Sequence, residues 1–362
     1  MAFQTIGFIG LGLIGGSIAK KMKSNQPDIK IYATAHHKET IEEAYREGLI
    51  ENNDLLPLSA FSDCDYIFLC APVQRNLAYL RQLKDIIRSD CYITDVGSTK
   101  TEIHEEVIRL GMEANFIGGT GSEKTGILSA TNTLLENAYY IITPTALTPK
   151  EEISEFRDFV LSLGAIPLIL DYKIHDYSTA AISHLPHMIA YSLVNLVHQI
   201  DDDKETMKTI AAGGFKDITR IASSSPVMWQ NICASNREPI LSLMDQYLAI
   251  LTKLRGYIDS SNEQALLSFF QQAKDYRDSI TLPSVKSPTV YYECFVDLVD
   301  ETGGIAAVAG LLAQYHISIK NIGIVNNREF EEGVLQLAFP DKQTLTRAKR
   351  LLTDNGYMVH ER

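Results

Sequence analysis

Through the first 170 residues, short apolar runs alternate with stretches in which apolar positions recur at helical spacing. The runs predict strands at residues 6–9, 29–33, 66–71, 92–96, 116–118, 139–143 and 166–170. Between them the pattern predicts helices, among others at residues 38–47, 75–87, 99–110 and 150–163. Strands alternating with amphipathic helices imply an α/β fold with a parallel, doubly wound sheet. From about residue 175 to 280 the strand pattern stops, and helical spacing continues at 188–199, 205–213, 240–257 and 264–278. This reads as an all-helical domain, apolar enough to be buried against a second copy, so a homodimer is expected. Residues 282–288 carry two prolines and small polar residues and read as a linker. Beyond it the order strand (289–298), helix (304–315), strand (317–325), strand (334–339), helix (342–354), strand (357–360) predicts a ferredoxin-like βαββαβ module. The expected domains are therefore 1–171, 172–282 and 289–362.

The first apolar run leads into Gly10-Leu-Gly12-Leu13-Ile14-Gly15, a G-x-G-x-x-G sequence that opens a helical pattern. Such a turn forms a Rossmann-type site for a dinucleotide pyrophosphate. The first glycine permits the turn, the second admits the phosphates and the third lets helix and sheet approach. The phosphates then meet the positive helix end. About 20 residues on, where an NAD site carries an acidic residue for the ribose hydroxyls, the chain reads Ala35-His36-His37-Lys38. A ribose 2′-phosphate would not be repelled there, and Lys38 with the histidines could hold it. The same residues could equally be the solvated start of a helix, so the cofactor is NAD or NADP. Ala71 and Pro72, at the end of the third predicted strand, complete the expected cofactor contacts.

Composition narrows the partners. The chain has 362 residues and a net charge of −12, with 45% hydrophobic and 22% charged residues. That balance argues against nucleic acid or an anionic membrane surface, which call for a basic face. The cysteines Cys64, Cys70, Cys91, Cys233 and Cys294 are scattered with no C-x-x-C pair, which reads as buried thiols in a reducing, cytoplasmic setting. The first residues read as a strand rather than a leader, and no run is expected to reach membrane-spanning length.

Two further clusters could carry chemistry. In Ser183-His184-Leu-Pro186-His187, at a predicted helix entrance, histidines three apart could meet one ligand. A third metal ligand at a recognisable spacing is missing, so no metal is expected. Ser183 could instead cap the helix while the histidines pack; substrate contact is the favoured reading. In Phe215-Lys-Asp217-Ile-Thr-Arg220-Ile221, with Trp229 nearby, the guanidinium could grip a carboxylate at two points.

As a set, G-L-G-L-I-G-G-S, D-V-G-Ser98-T-Lys100, G-Ser122-E-K-T-G, S-H-L-P-H, F-K-D-I-T-R and Trp229 resemble the prephenate dehydrogenases in order and kind over roughly residues 3–282. The last module, with Gly303-Gly304-Ile305 before its helix and Asn321 after it, resembles an ACT regulatory domain. The resemblance implies NAD(P)-dependent oxidative decarboxylation of prephenate, or of its amino analogue arogenate. It implies that Ser98 orients the ring hydroxyl as a catalytic residue. Ser122, His184, His187, Arg220 and Trp229 would then bind substrate. It further implies tyrosine as effector at Gly303, Gly304, Ile305 and Asn321. The chain departs from the family at one point. Members carry a catalytic histidine in a His-Pro segment just before the G-S/T-E-K stretch. Here the sequence Gly118-Gly119-Thr120-Gly121-Ser122 is about three residues short, and no histidine occurs between His104 and His175. A non-catalytic, ligand-sensing relative is the alternative expectation.

Overall fold

The computed structural model describes residues 4–121, 130–280, 292–298, 303–325 and 333–360. Residues 1–278 form one compact unit and residues 279–362 a second.

The first unit is built on a seven-stranded sheet: β1 (Thr5–Ile9), β2 (Lys30–Thr34), β3 (Tyr66–Leu69), β4 (Tyr92–Asp95), β5 (Phe116–Gly121), β6 (Tyr139–Pro144) and β7 (Ile166–Ile169), in the order β2-β1-β3-β4-β5-β6-β7. Neighbours pair in parallel except β5 and β6, which are antiparallel. That exception corrects the all-parallel expectation. No helix of the described residues lies between these two strands, and an antiparallel pair needs no helical crossover.

Alternation along each strand sends side chains to opposite faces. Ile6, Phe8, Tyr66 and Phe68 join one core with Ile18, Met22, Ile41, Phe156 and Val160, from α1 (Leu13–Asn25), α2 (Lys38–Arg46) and, later in the chain, Lys150–Ser162. Ile9, Ile67, Leu69 and Ile93 join the other core with Leu77, Leu80, Ile103 and Val107, from α3 (Val73–Leu83) and α4 (Thr101–Leu110). The Lys150–Ser162 helix is α5. Helices on both faces make the sheet doubly wound, and the predicted strands are met to within one to three residues.

Residues 172–279 are helical where ordered into elements: α6 (Tyr172–Thr179), a π-helical turn (Ala180–His184), α7 (Leu185–Ile200), α8 (Thr206–Ile210), α9 (Gly213–Thr219), α10 (Pro226–Ser235), α11 (Arg237–Asp259) and α12 (Glu263–Ser279). The run Tyr172–Ile200 has a mean hydropathy of 1.2 and is long and apolar enough to cross a membrane, contrary to the sequence expectation. It also carries His175, Asp176 and His184, all buried and hydrogen-bonded to protein groups. Those contacts tie it to the sheet and its neighbouring helices.

The second unit holds β8 (Tyr292–Leu298), α13 (Gly304–Gln314), β9 (Asn321–Val325), β10 (Gly333–Phe339), α14 (Lys342–Asp354) and β11 (Val359–His360). Its antiparallel sheet runs β11-β8-β10-β9, the βαββαβ arrangement expected. One sheet face, with Cys294, Val296, Leu335, Leu337 and Phe339, packs on Val308, Leu312, Leu345 and Leu352 of the two helices. The predicted strand over 317–325 begins only at Asn321, because His316 takes a left-handed turn and the backbone first reaches β10 at Lys320, whose amide donates to the Ala338 carbonyl at 2.8 Å. The expected linker falls outside the described residues.

Candidate active site

The glycine turn lies where the strand order reverses, since the chain goes from β1 out to β2 and returns to β3 on the other side. Ligands of open α/β sheets bind in the crevice at such a switch point. Gly10 has φ +98°, and a Cβ there would lie 2.8 Å from the Cys70 carbonyl carbon and 2.9 Å from the Ala71 amide nitrogen. Only glycine fits this approach of the β1 and β3 loops. A Cβ on Gly15 would meet the Gly10 carbonyl oxygen at 2.7 Å, so that position seats α1 against the turn. Gly12, the residue before α1, has open space above it and no side-chain cap. The amides of the first turn, at Leu13 and Ile14, are thus left for an anion. These residues suit a dinucleotide pyrophosphate, with Ala71 and Pro72 alongside.

At the end of β2, His36, His37 and Lys38 are exposed, and the two imidazoles meet edge to face at 4.6 Å. The Lys38 ammonium lies 3.1 Å from Asp54, a partner the sequence reading did not include. This pair raises the Lys38 pKa, chiefly through the hydrogen bond to Asp54.

After β4 the chain runs through Ser98, which is exposed, into Thr99 and Lys100, which are buried. Lys100 Nζ lies 2.5 Å from Asp95 Oδ2, and both side chains are fully buried. Burial lowers the Lys100 pKa, opposed by the Asp95 charge. The same loop is fastened to the helices. Asp176 accepts hydrogen bonds from the Lys100 and Thr101 amides at 2.8 and 2.7 Å. Thr99 Oγ1 donates to Ser235 Oγ at 3.1 Å. At the end of β5, Thr120 Oγ1 donates to the Gly97 carbonyl at 2.7 Å. The end of β5 is therefore held against the Ser98 loop. Ser122 itself lies outside the described residues.

The S-H-L-P-H segment does not open a helix. It sits inside a continuous helical run, where the π turn ends at His184 and α7 begins at Leu185. Ser183 is consequently no cap; its carbonyl accepts from His187 Nδ1 at 2.8 Å. An extra residue in one turn re-aims the side chains that follow, and such turns concentrate at functional sites. His187 stacks on Trp229 with ring centroids 3.8 Å apart, and His184 meets the same indole edge-on at 5.9 Å. His184 Nδ1 lies 3.0 Å from Asn236 Nδ2. Trp229 is buried and its indole N–H has no partner among the described residues. A buried donor without an acceptor points to a ligand or water. Burial lowers the pKa of His184 to about 4 and also lowers that of His187, to which the nearby Arg220 charge contributes. Both rings are thus neutral at pH 7. Arg220 directly follows α9 as its C-cap and is exposed.

The histidines that flank the shortened segment are already committed. His104 is fully buried, its Nε2 is 3.0 Å from Thr143 Oγ1, its ring stacks on Tyr172 at 4.5 Å, and burial lowers its pKa to about 3. His175 is buried with Nδ1 2.8 Å from Asp176. Neither can stand in as an exposed base. Sequence reasoning missed Asp176 and Asn236. Single carboxylates and amides in helices carry no spacing signal, although Asp95 and Lys100 lay within the D-V-G-S-T-K motif. Among the described residues no group of three or more His, Cys, Asp or Glu is placed to hold a metal.

In the second unit, Gly303 precedes α13 with φ +96°, open space above it and no side-chain cap beside it. Ile305 is exposed on the first turn of α13, just past Gly304. Asn321 Oδ1 accepts from the Ile322 amide at 3.0 Å.

Residues 18–167 match the family model described as "Prephenate dehydrogenase, nucleotide-binding domain", and residues 171–272 match "Prephenate dehydrogenase, dimerization domain". The chain is 35% identical to the prephenate dehydrogenase of Bacillus subtilis over 354 residues, 96% of this chain and 95% of that one. It is similar to the crystal structure of the Aquifex aeolicus prephenate dehydrogenase in complex with hydroxyphenyl propionate and NAD+. There the TM-score is 0.71 at 28% identity, covering 78% of this chain and 99% of that one. It is also similar to the Synechocystis arogenate dehydrogenase structure, with TM-score 0.68 at 29% identity over 76% and 99% of the two chains. The nucleotide-binding and dimerization domain models between them account for most of residues 18–272, and the chain belongs to the prephenate dehydrogenase family of oxidoreductases.

Proposed function

We propose that this protein catalyses the NAD(P)-dependent oxidative decarboxylation of prephenate to 4-hydroxyphenylpyruvate, a step towards tyrosine. The observation that carries this reading is the buried link between the Ser98 loop and the histidine cluster. Asp176 receives the loop's amides, and Asn236 ties Asp176 to His184. The bound nicotinamide would accept a hydride from the ring carbon that bears the hydroxyl. Ser98 orients that hydroxyl. Arg220, His184 and the indole N–H of Trp229 hold the carboxylates and keto group, and His187, stacked on the indole, lines the same pocket. Loss of one carboxylate as carbon dioxide makes the ring aromatic and drives the reaction forward.

The family's histidine base is missing from the sequence, which leaves positioning as the chief contribution. Losing a general base costs about 10²–10⁴-fold in rate. Insertion of a His-Pro-Ala segment between Gly119 and Thr120 is therefore expected to raise kcat by that order. A second reading, a ligand-sensing relative without turnover, is favoured by the same short segment. Initial rates of nicotinamide reduction from prephenate and from arogenate, with NAD and NADP in parallel, decide between them on protein of verified mass. Turnover supports the dehydrogenase. Cofactor binding without turnover supports the sensor.

The cofactor choice belongs to the same assay. Lys38 supplies the cation for a 2′-phosphate, while Asp54 beside it offsets that charge. Tyrosine is the effector we infer for the second unit. The uncapped turn at Gly303, Gly304 and Ile305 offers backbone amides to a carboxylate, with Asn321 as a further contact. A tyrosine titration that leaves both rate and thermal stability unchanged would remove this assignment. A homodimer through the helical domain completes the reading, supported by the exposed apolar faces of α11 and α12.

A further inference from the structure

We propose that Asn236 is a positioning residue that fixes which nitrogen of His184 carries the proton. The inference rests on the reading of His184 as a substrate ligand. Asn236 is buried between α10 and α11, and its Nδ2 reaches two atoms. One is the Asp176 carbonyl oxygen at 2.9 Å, the other His184 Nδ1 at 3.0 Å. A carbonyl oxygen can only accept, so the end of the amide facing it must be the nitrogen. That nitrogen has a second hydrogen and no lone pair to offer, so His184 Nδ1 must accept. The proton of the neutral ring then sits on Nε2.

His187 is held the opposite way. Its Nδ1 faces the Ser183 carbonyl at 2.8 Å, so Nδ1 carries the proton and Nε2 keeps a lone pair. Two histidines three residues apart thus present opposite characters, a donor at His184 and an acceptor at His187. An N–H at His184 Nε2 is what a substrate carboxylate or keto oxygen needs. An Nδ1-protonated His184 would turn a lone pair towards that oxygen. The amide also opposes protonation of the ring, because Nδ1–H would confront N–H; this agrees with the neutral state that burial imposes.

The test uses the full chain with histidine labelled by nitrogen-15. Long-range proton–nitrogen spectra of the wild type are expected to show His184 as the Nε2–H tautomer. A wild-type Nδ1–H tautomer would overturn the proposal without any variant being made. Asn236→Asp replaces the donor by an acceptor and is expected to move the proton to Nδ1, or to charge the ring. Prephenate affinity, measured by calorimetry with NAD bound, should weaken about tenfold or more in this variant, with NAD affinity unchanged. If Asn236→Asp does not fold, Asn236→Ala removes the donor without adding a charge and should give mixed tautomers with a smaller loss of affinity. A tautomer that changes while prephenate affinity stays the same would overturn the positioning role. His184→Phe separates the two readings. If that variant binds prephenate normally, the substrate assignment of His184 has failed, whatever the spectra of Asn236 variants show.

Discussion

Gly10 illustrates how a single position can be read before folding and tested after it. Its φ of +98° and the 2.8 Å approach to Cys70 leave no place for a methyl group. Gly10→Ala is expected to cost about 1–3 kcal/mol of stability and to weaken NAD binding, as denaturant titration and calorimetry would measure. A variant as stable and as tightly binding as the wild type would contradict the turn. The buried histidines make a second expectation. His104 titrates at about 3 and His184 at about 4, against roughly 6.5 in an unfolded chain. Below pH 6.5 the unfolded chain therefore takes up protons that the folded one does not. Stability is complete above that pH and declines towards pH 3–4, by at most about 1.4 kcal/mol per pH unit for each ring. Urea midpoints between pH 7 and 4 should show the decline, and His104→Gln should make it shallower. An unaltered slope would mean that His104 is not held neutral.

At the scale of elements, strand boundaries were legible because each strand of the first sheet is a short apolar run closed by polar or glycine-rich turns. The antiparallel β5–β6 pair was not, since pairing direction depends on what connects the strands in space. Nor was the π turn before His184, because one extra residue in a helix leaves the apolar spacing nearly intact. The end of β4 and the start of α4 are joined by the buried Lys100–Asp95 pair. Asp95→Asn leaves an ammonium buried without its counter-charge and is expected to cost about 3–5 kcal/mol. Adding Lys100→Met to that variant should restore part of the loss. Chemical denaturation of the two variants measures both effects, and a neutral single replacement would show that the pair is not essential to this junction.

For the whole molecule, α11 and α12 carry more apolar surface than the unit itself covers. Only Ile240 of α11 is buried, and no residue of α12. Leu241, Met244, Leu248, Leu251 and Ile258 are exposed along α11 at spacings of three, four and seven. Patches of this kind mark association surfaces. Replacing Leu248 and Leu251 together by Glu is expected to convert a dimer to monomers in sedimentation experiments, with the fold retained by circular dichroism. A wild-type monomer at micromolar concentration would remove the dimer from the reading.

Local rules were enough for the sequence to determine the strand and helix order, the dinucleotide turn and the βαββαβ module. Glycine freedom, apolar periodicity and turn chemistry act over a few residues and leave their mark there. The sequence also carried the missing histidine, which is a matter of which residues are present. Only the tertiary structure brought Asp176 and Asn236, 60 residues apart, to the Ser98 loop and His184. Hydrogen bonding between distant buried groups depends on where the chain returns in space, and no spacing in the sequence records it. The protonation pattern of His184 and His187 was decided the same way, by which carbonyl or amide each ring happens to face.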